Sequence, residues 1–315
     1  MQGVYNLNTN QRAIELYEKS LYTEALAAFE LAVEESRNVQ SLTNLAWFYY
    51  HEEGKSQQAE ELLAEALQMA PYSHFPFSLS GEIYVEQKEW EKAYRLLLQA
   101  IQLTPTTEAF HNLAIASYYL GKLEEAAAYF RKGSKSVSDY SMYNHVKCLI
   151  ELGRVIEAKE KLDAFDENDG EFAGSVEVAE LYLEMKLYRE AAIWFQKGWG
   201  SYYKQPGWVE GYIYSLFKLN QMETAEQLLR EVMEEKQRDI QDSELEECDE
   251  TWTLADKTAY IEQLNRELSR YESLLERVSS DGYTPKAEFT PSLYSGCYLF
   301  GCMRHNHAPY GPPQE

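Results

Sequence analysis

Two cysteines and two histidines fall within eleven positions near the C-terminus, as Cys297-x4-Cys302-x2-His305-x-His307 in the stretch "CYLFGCMRHNH". The whole chain has only four Cys and six His. Thiolate and imidazole are the ligand types that zinc accepts, and a His-x-His pair can chelate. Such a cluster suits metal binding, redox or covalent chemistry at the thiols, or docking of a sticky segment onto a partner surface. No zinc-finger framework surrounds it, and all three readings stay open. The expectation is no cofactor beyond zinc or another transition metal at these four residues.

Elsewhere the chemistry is sparse. There is no Gly-rich phosphate loop, no HExxH and no nucleophile elbow. His51, His74, His111 and His145 are scattered singly, and carboxylates are too abundant for any pair to carry meaning. The chain is expected not to be an enzyme.

The elements that must hold the cluster are helical. The chain has 315 residues, 45% of them hydrophobic, enough for a sizeable core. Gly and Pro are few until the last segment, and Glu, Leu and Ala dominate. The net charge is −23 with no basic patch, so nucleic acid and anionic membrane are not expected as partners. No basic region followed by an apolar run opens the sequence, and no window is apolar enough to span a bilayer. Cys148 and Cys248 stand alone, which is not a disulfide framework, so a reducing cytoplasm is the expected compartment.

A repeat organises most of the sequence. Ala25, Ala59, Ala93, Ala126, Ala158, Ala191 and Ala225 recur at intervals of 34, 34, 33, 32, 33 and 34 residues. Four positions after each comes a large apolar residue: Phe29, Leu63, Leu97, Phe130, Leu162, Phe195, Leu229. About twelve positions before most of them lies a second small residue, as at Ala13, Ala46, Gly81, Ala114 and Ala179. This is the pattern of paired amphipathic helices that cross closely at small residues. The connectors "HEEGKS", "LGKLEE" and "ELGRVIE" carry turn chemistry, and Pro71 and Pro105 close second helices.

The pattern resembles the tetratricopeptide repeat, W-x2-L-G-x2-Y…A-x3-F…P. The second copy reads Leu42, Leu45, Ala46, Tyr49, Ala59, Leu63, Ala66, Pro71, and the third reads Phe77, Gly81, Tyr84, Ala93, Leu97, Ala100, Pro105. Copies five to seven are looser, with Val146 and Ile213 where a small residue belongs. The resemblance implies an all-α, right-handed superhelical solenoid of about seven helix-turn-helix repeats over residues 1–235. After it come an acidic linker at 236–252, a capping helix at 253–280 and an irregular Tyr/Pro/Cys/His-rich tail at 281–315.

In this family the first helix of each repeat lines a concave groove. Mapped onto this chain, the peptide-binding positions are Asn10, Tyr17, Asn44, Trp47, Tyr50, His111, Asn112, Tyr118, Tyr140, Tyr143, Asn144, Lys147 and Tyr214. An Asn amide can both donate to and accept from an extended backbone, while aromatic walls hold side chains. The same residues can equally pack between repeats. The sixth copy is acidic, with Glu177, Glu180 and Glu184. The Lys/Arg clamp of chaperone-binding members is absent, since Ser78 and Glu82 occupy that face of the third copy. A protein or peptide partner with apolar, Tyr/Pro-containing or basic segments is therefore expected.

The end of the chain offers two choices. "TLAD" at Thr253 has capping-box spacing, and Ile261, Leu264, Leu268, Tyr271, Leu275 and Val278 form a heptad-like stripe. That stripe suits a cap on the last repeat or a short dimerising coiled coil, giving a monomer or weak dimer. The tail either docks on its own scaffold or is read by another protein. The leading reading is a non-enzymatic adaptor; the alternative is a metal- or redox-responsive protein whose chemistry lies in the tail.

Overall fold

The computed structural model describes residues 8–69, 71–285 and 289–311; the first seven residues of the expected repeat region 1–235 lie outside them. Sixteen helices and no strand occur among the described residues. They are α1 Thr9–Glu18, α2 Tyr22–Glu35, α3 Val39–His51, α4 Ser56–Gln68, α5 Phe75–Glu86, α6 Trp90–Leu103, α7 Thr107–Tyr119 and α8 Leu123–Lys132. Then follow α9 Tyr140–Glu151, α10 Val155–Leu162, α11 Ser175–Glu184, α12 Tyr188–Gly198, α13 Pro206–Lys218, α14 Met222–Leu245, α15 Leu254–Glu272 and α16 Leu274–Ser279. The first fourteen pair into seven antiparallel hairpins of an all-helical repeat solenoid.

Each hairpin turns on one left-handed residue. These are Ser20, Gly54, Lys88, Gly121, Gly153, Lys186 and Asn220, with φ between 59° and 75°. In six of the seven the next residue donates its N–H to a carbonyl five positions back, for example Leu187 to Tyr182 at 2.9 Å, and in the second hairpin, one residue longer, Lys55 reaches six back to Tyr49 at 2.8 Å. This is the Schellman closure of a helix C-terminus, which satisfies an orphan carbonyl and starts the second helix in a fixed direction. First helices begin on side-chain caps where the sequence supplies them: Asn38 with Ser41, Thr106 on Ala109, Asp139 on Met142.

The small-residue register is the crossing point. All seven of its alanines are fully buried, and so are Phe29, Leu97, Phe130 and Phe195 four positions on. A Cβ on Gly81 would meet Leu97 Cδ2 at 2.6 Å, so α5 and α6 cross where only glycine fits.

The chain divides into two compact units. The first comprises the described residues up to 135 together with 291–311, and its core joins Ala13, Phe29, Phe48, Leu63 and Leu79 to Tyr298, Leu299 and Cys302. The second spans 136–290, with a core from Val146 and Phe195 to Tyr271 and Val278.

Within the second unit, the segment expected as an acidic linker divides at Leu245. Up to that residue it continues α14, and only 246–252 is irregular. Lys236 explains the extension, because its ammonium is buried 2.9 Å from Glu267 of α15 and 3.7 Å from the centre of the Tyr203 ring. The expected capping helix starts on the Thr253–Asp256 capping box but is two helices, broken at Ser273. Leu264, Tyr271 and Val278 of its stripe are buried within this unit, and Tyr271 donates to Lys204 O at 2.9 Å. Glu210 of α13 gathers Arg270, Arg277 and the Tyr283 hydroxyl at 2.8–3.2 Å.

Candidate peptide-binding faces

In the first unit, residues 292–310 run without regular secondary structure along the first helices of the hairpins, in reverse order. The path begins at α7. The His111 imidazole donates from Nε2 to Ser292 O at 2.9 Å, and its ring stacks on Tyr294 at 3.7 Å with planes 3° apart. Asn112 then takes both polar atoms of Tyr294: Nδ2 donates to Tyr294 O and Oδ1 accepts from Tyr294 N, each at 2.8 Å. At α5 the Glu82 carboxylate accepts from Gly296 N at 3.2 Å, while Trp47 of α3 donates to Gly296 O at 3.0 Å. Asn44 repeats the double grip on Phe300, with Oδ1 at 2.8 Å from its N and Nδ2 at 3.1 Å from its O. Asn10 lies behind it, 3.5 Å from Asn44 Nδ2.

The register explains the geometry. Asn10, Asn44, Ser78 and Asn112 are each 34 residues apart, so they occupy equivalent positions on successive first helices. The two gripped residues are six apart, two hairpins for six extended residues, or about 10 Å per hairpin at roughly 3.3 Å per residue. Tyr298 stands between the grips, fully buried, with Phe75 edge-on at 5.9 Å and His74 at 6.4 Å. Phe300 packs on Phe75 at 4.7 Å, and Tyr310 stacks on Tyr72 at 4.5 Å. At the far end Glu18 accepts from Met303 N and Arg304 N at 3.0 and 3.2 Å, and the Arg304 guanidinium donates to Glu18 O.

Burial sets the charge states here. The Glu82 carboxyl is held up to about 7 by desolvation, against the Ser295 and Gly296 donors that favour its ionised form. His74 is lowered to about 4, first by burial and then by His307. His51, 3.6 Å from Glu82, is also lowered to about 4 by burial.

Of the expected first-unit residues, Asn44, Trp47, His111 and Asn112 therefore contact this segment directly. Tyr17 is braced by the Glu52 carboxylate at 2.9 Å and carries Arg304 5.9 Å over its ring. Tyr50 is edge-on to His51, and Tyr118 to Tyr119. Sequence reasoning missed Gln40, Glu82, Phe75 and Glu18 as segment contacts. Gln40 Oε1 accepts from Tyr310 N at 3.1 Å. Gln40 and Glu82 each lie one helical turn from the Asn register, and that offset was the available signal.

The second unit assembles the others. Tyr140 and Tyr143 stack at 5.3 Å. Lys147 pairs with Glu184 at 2.6 Å and Glu151 at 3.4 Å, with Phe289 5.7 Å from its ammonium. A cavity of about 460 Å³ is lined by Lys147, Glu180, Glu184, Tyr188 and Tyr214. Glu180 is raised to about 7, first by desolvation and then by Glu177 and Glu184. Asn144 is fully buried, and neither of its amide atoms has a hydrogen-bond partner among the described residues.

The Cys/His cluster comes together in part. Ligand atoms of Cys297, Cys302 and His305 all lie within 4.8 Å of one another. His307 instead donates from Nδ1 to Leu299 O at 3.1 Å. Burial pushes the Cys297 thiol up to about 12, with neighbouring Cys302 adding to the shift.

Comparisons with known proteins agree with this architecture. Two tetratricopeptide repeat family models match residues 50–116 and 107–135. A TPR repeat-containing protein of Methanocaldococcus jannaschii is 28% identical over 155 residues, covering 48% of this chain and 26% of that protein. Cilia- and flagella-associated protein 70 of Homo sapiens is 34% identical over 91 residues, 28% of this chain and 8% of that one. The chain thus spans about a quarter or less of the curated relatives it matches. Among solved structures, Pseudomonas aeruginosa PilF is similar in fold, with TM-score 0.50 and 22% identity over 62% of this chain and 90% of that one. Among the described residues no helix is long and apolar enough to cross a membrane.

Proposed function

Because the chain is a tetratricopeptide repeat protein, and such repeats serve generally as protein-interaction scaffolds, we propose that it is a non-enzymatic adaptor whose first helices bind extended polypeptide through an Asn ladder. Its own residues 291–311 are the resident occupant in cis, and a partner competes for the same positions. The observation that carries this reading is the double grip of Asn112 on Tyr294 and Asn44 on Phe300. Hydrogen bonds to N–H and C=O alone are indifferent to side chain, so they supply affinity and register, while the His111, Phe75 and Tyr72 rings select aromatic side chains. The partner is a segment with aromatic residues at the gripped positions, six apart.

The second unit supports a further contact of different chemistry. Asn144 is a buried amide without a partner among the described residues, and such groups cost stability until satisfied. Beside Lys147, the carboxyls of Glu180 and Glu184 favour a basic side chain, which would relieve their crowding.

The test uses full-length protein. A Tyr294→Ala/Phe300→Ala variant, with its own segment weakened, is expected to take up a labelled peptide of residues 291–311 at least tenfold better than wild type. Adding Asn44→Ala and Asn112→Ala should remove that uptake. Equal uptake by the variant and wild type would refute the shared site.

A further inference from the structure

The peptide grips do not use the sulfur atoms of the segment. Cys297 and Cys302 are free thiols, the second buried, and Cys302 Sγ lies 3.3 Å from His305 Nδ1. With zinc–sulfur bonds of about 2.3 Å and zinc–nitrogen bonds of about 2.0–2.1 Å, a tetrahedral ion sets its ligand atoms roughly 3.4–3.8 Å apart. The three ligand atoms, all within 4.8 Å of one another, are near that spacing already. The loop that carries them is built: Gly301 and Asn306 take left-handed φ values of 89° and 52°. His307 N donates to Cys302 O at 2.9 Å, and Asn306 N to Met303 O at 3.2 Å. Glu18 anchors the loop from outside the trio, with Oε1 3.7 Å from Cys302 Sγ and holding the N–H groups of Met303 and Arg304.

We propose that Cys297, Cys302 and His305 form a site for a thiophilic divalent cation of the zinc class, which staples residues 297–305 into the loop that Glu18 of the first helical hairpin holds. Two thiols lose their protons to solvent as two thiolates and one neutral imidazole bind the cation, so the ligand set with its metal is electrically neutral. Nothing is oxidised, and the fourth position of a tetrahedral ion is left to water or an external donor. Neutrality suits a half-buried site beside the Glu18 carboxylate, where two bare thiolates would be repelled.

The staple rests on the reading of residues 291–311 as the occupant of the Asn-lined face. A cation that binds the seated loop must favour seating by the same factor by which seating favours the cation. For a cation held by the seated loop alone, that factor reaches roughly a hundredfold at a free concentration about a hundred times Kd.

Full-length protein, kept reduced with a non-chelating phosphine, is titrated with Co2+ alone and then with Zn2+. The expected result is a saturable sulfur-to-cobalt charge-transfer band at one equivalent, displaced by zinc. It should vanish in Cys297→Ser and in Cys302→Ser, weaken at least tenfold in His305→Ala, and persist in Cys148→Ser and Cys248→Ser. No band, or a band that survives both tail cysteine substitutions in protein with wild-type circular dichroism, overturns the site. Zinc should also lower uptake by wild type of a labelled 291–311 peptide with both cysteines replaced by serine, which cannot hold the cation; an intact band with unchanged uptake overturns the staple alone. Failure of the groove reading shows separately, as peptide uptake in metal-free protein that ignores Asn44→Ala and Asn112→Ala.

Discussion

Asn112 holds Tyr294 by both its N–H and its C=O, at 2.8 Å each, across 182 residues of sequence. Asn44, two hairpins away, does the same to Phe300. Between them the register falls on Ser78, which is too short for a double grip, and Glu82 one turn on accepts the N–H of Gly296 instead. The substitution of a carboxylate for an amide makes the middle of the path the place where pH acts.

The pH response has a definite sign. The Glu82 pKa rises from 4.5 to about 7 on folding, so the folded state favours the protonated acid. Its contribution is present below pH 4.5 and is lost as pH climbs through 7, on the order of 2–3 kcal/mol. His51 and His74, lowered from 6.5 to about 4, act in the opposite sense: their contribution is lost as pH falls from 6.5 through 4. Denaturant unfolding of Glu82→Gln against wild type between pH 4.5 and 7.5 isolates the carboxyl. The stability of wild type minus variant should fall steadily across that range; a flat difference would contradict the assignment.

The hairpin turns make a prediction about stability that no side-chain contact carries. Lys88 and Lys186 are exposed and sit at φ 61° and 60°, a region costing a non-glycine residue about 1–2 kcal/mol. Lys88→Gly and Lys186→Gly are each expected to stabilise by about 0.5–1 kcal/mol, after the entropy that glycine adds to the unfolded chain. Gly54→Ala should destabilise by about 1 kcal/mol for strain alone, since nothing lies within 4 Å of its would-be Cβ. Midpoints of thermal or urea unfolding check all three.

Gly81 tests the crossing. Gly81→Ala drives a methyl into Leu97 and is expected to cost about 1–3 kcal/mol. Leu97→Ala alone should cost about 2–5 kcal/mol by leaving a cavity. Combined, the two should cost clearly less than their sum, because the added methyl fills space the leucine vacated. Additive losses in urea unfolding would mean the two residues do not share one site.

These features were unequally legible. The seven hairpins could be read because burial forces a small residue at every crossing, and Ala25 to Ala225 repeat it without exception. Three of the seven turns announced themselves as Gly54, Gly121 and Gly153. The other four are Ser20, Lys88, Lys186 and Asn220, and the Schellman closure imposes their backbone whatever the side chain. The Asn ladder was readable as a register, but the direction of the chain lying on it was not, since an irregular segment has no periodicity to align. Glu82 could be placed on the groove face of the third copy, but not as a partner of the segment, because one carboxylate among 52 acidic residues does not announce what it accepts from. The acidic run at 236–252 reads as a linker because its charges dominate; the buried pair of Lys236 with Glu267, formed only when α15 folds back, keeps it helical as far as Leu245.

Hydrogen exchange at the amides of Tyr294 and Phe300 tests the Asn ladder most directly. In full-length wild type both should be protected, and Asn112→Ala should speed exchange at Tyr294 by about ten- to a hundredfold, the equivalent of a lost double hydrogen bond at about 1–3 kcal/mol. Asn44→Ala should do the same at Phe300, while amides in the core of α13 stay unchanged. Free exchange of both amides in wild type, or rates that ignore the two substitutions, would contradict the claim that these asparagines hold an extended chain.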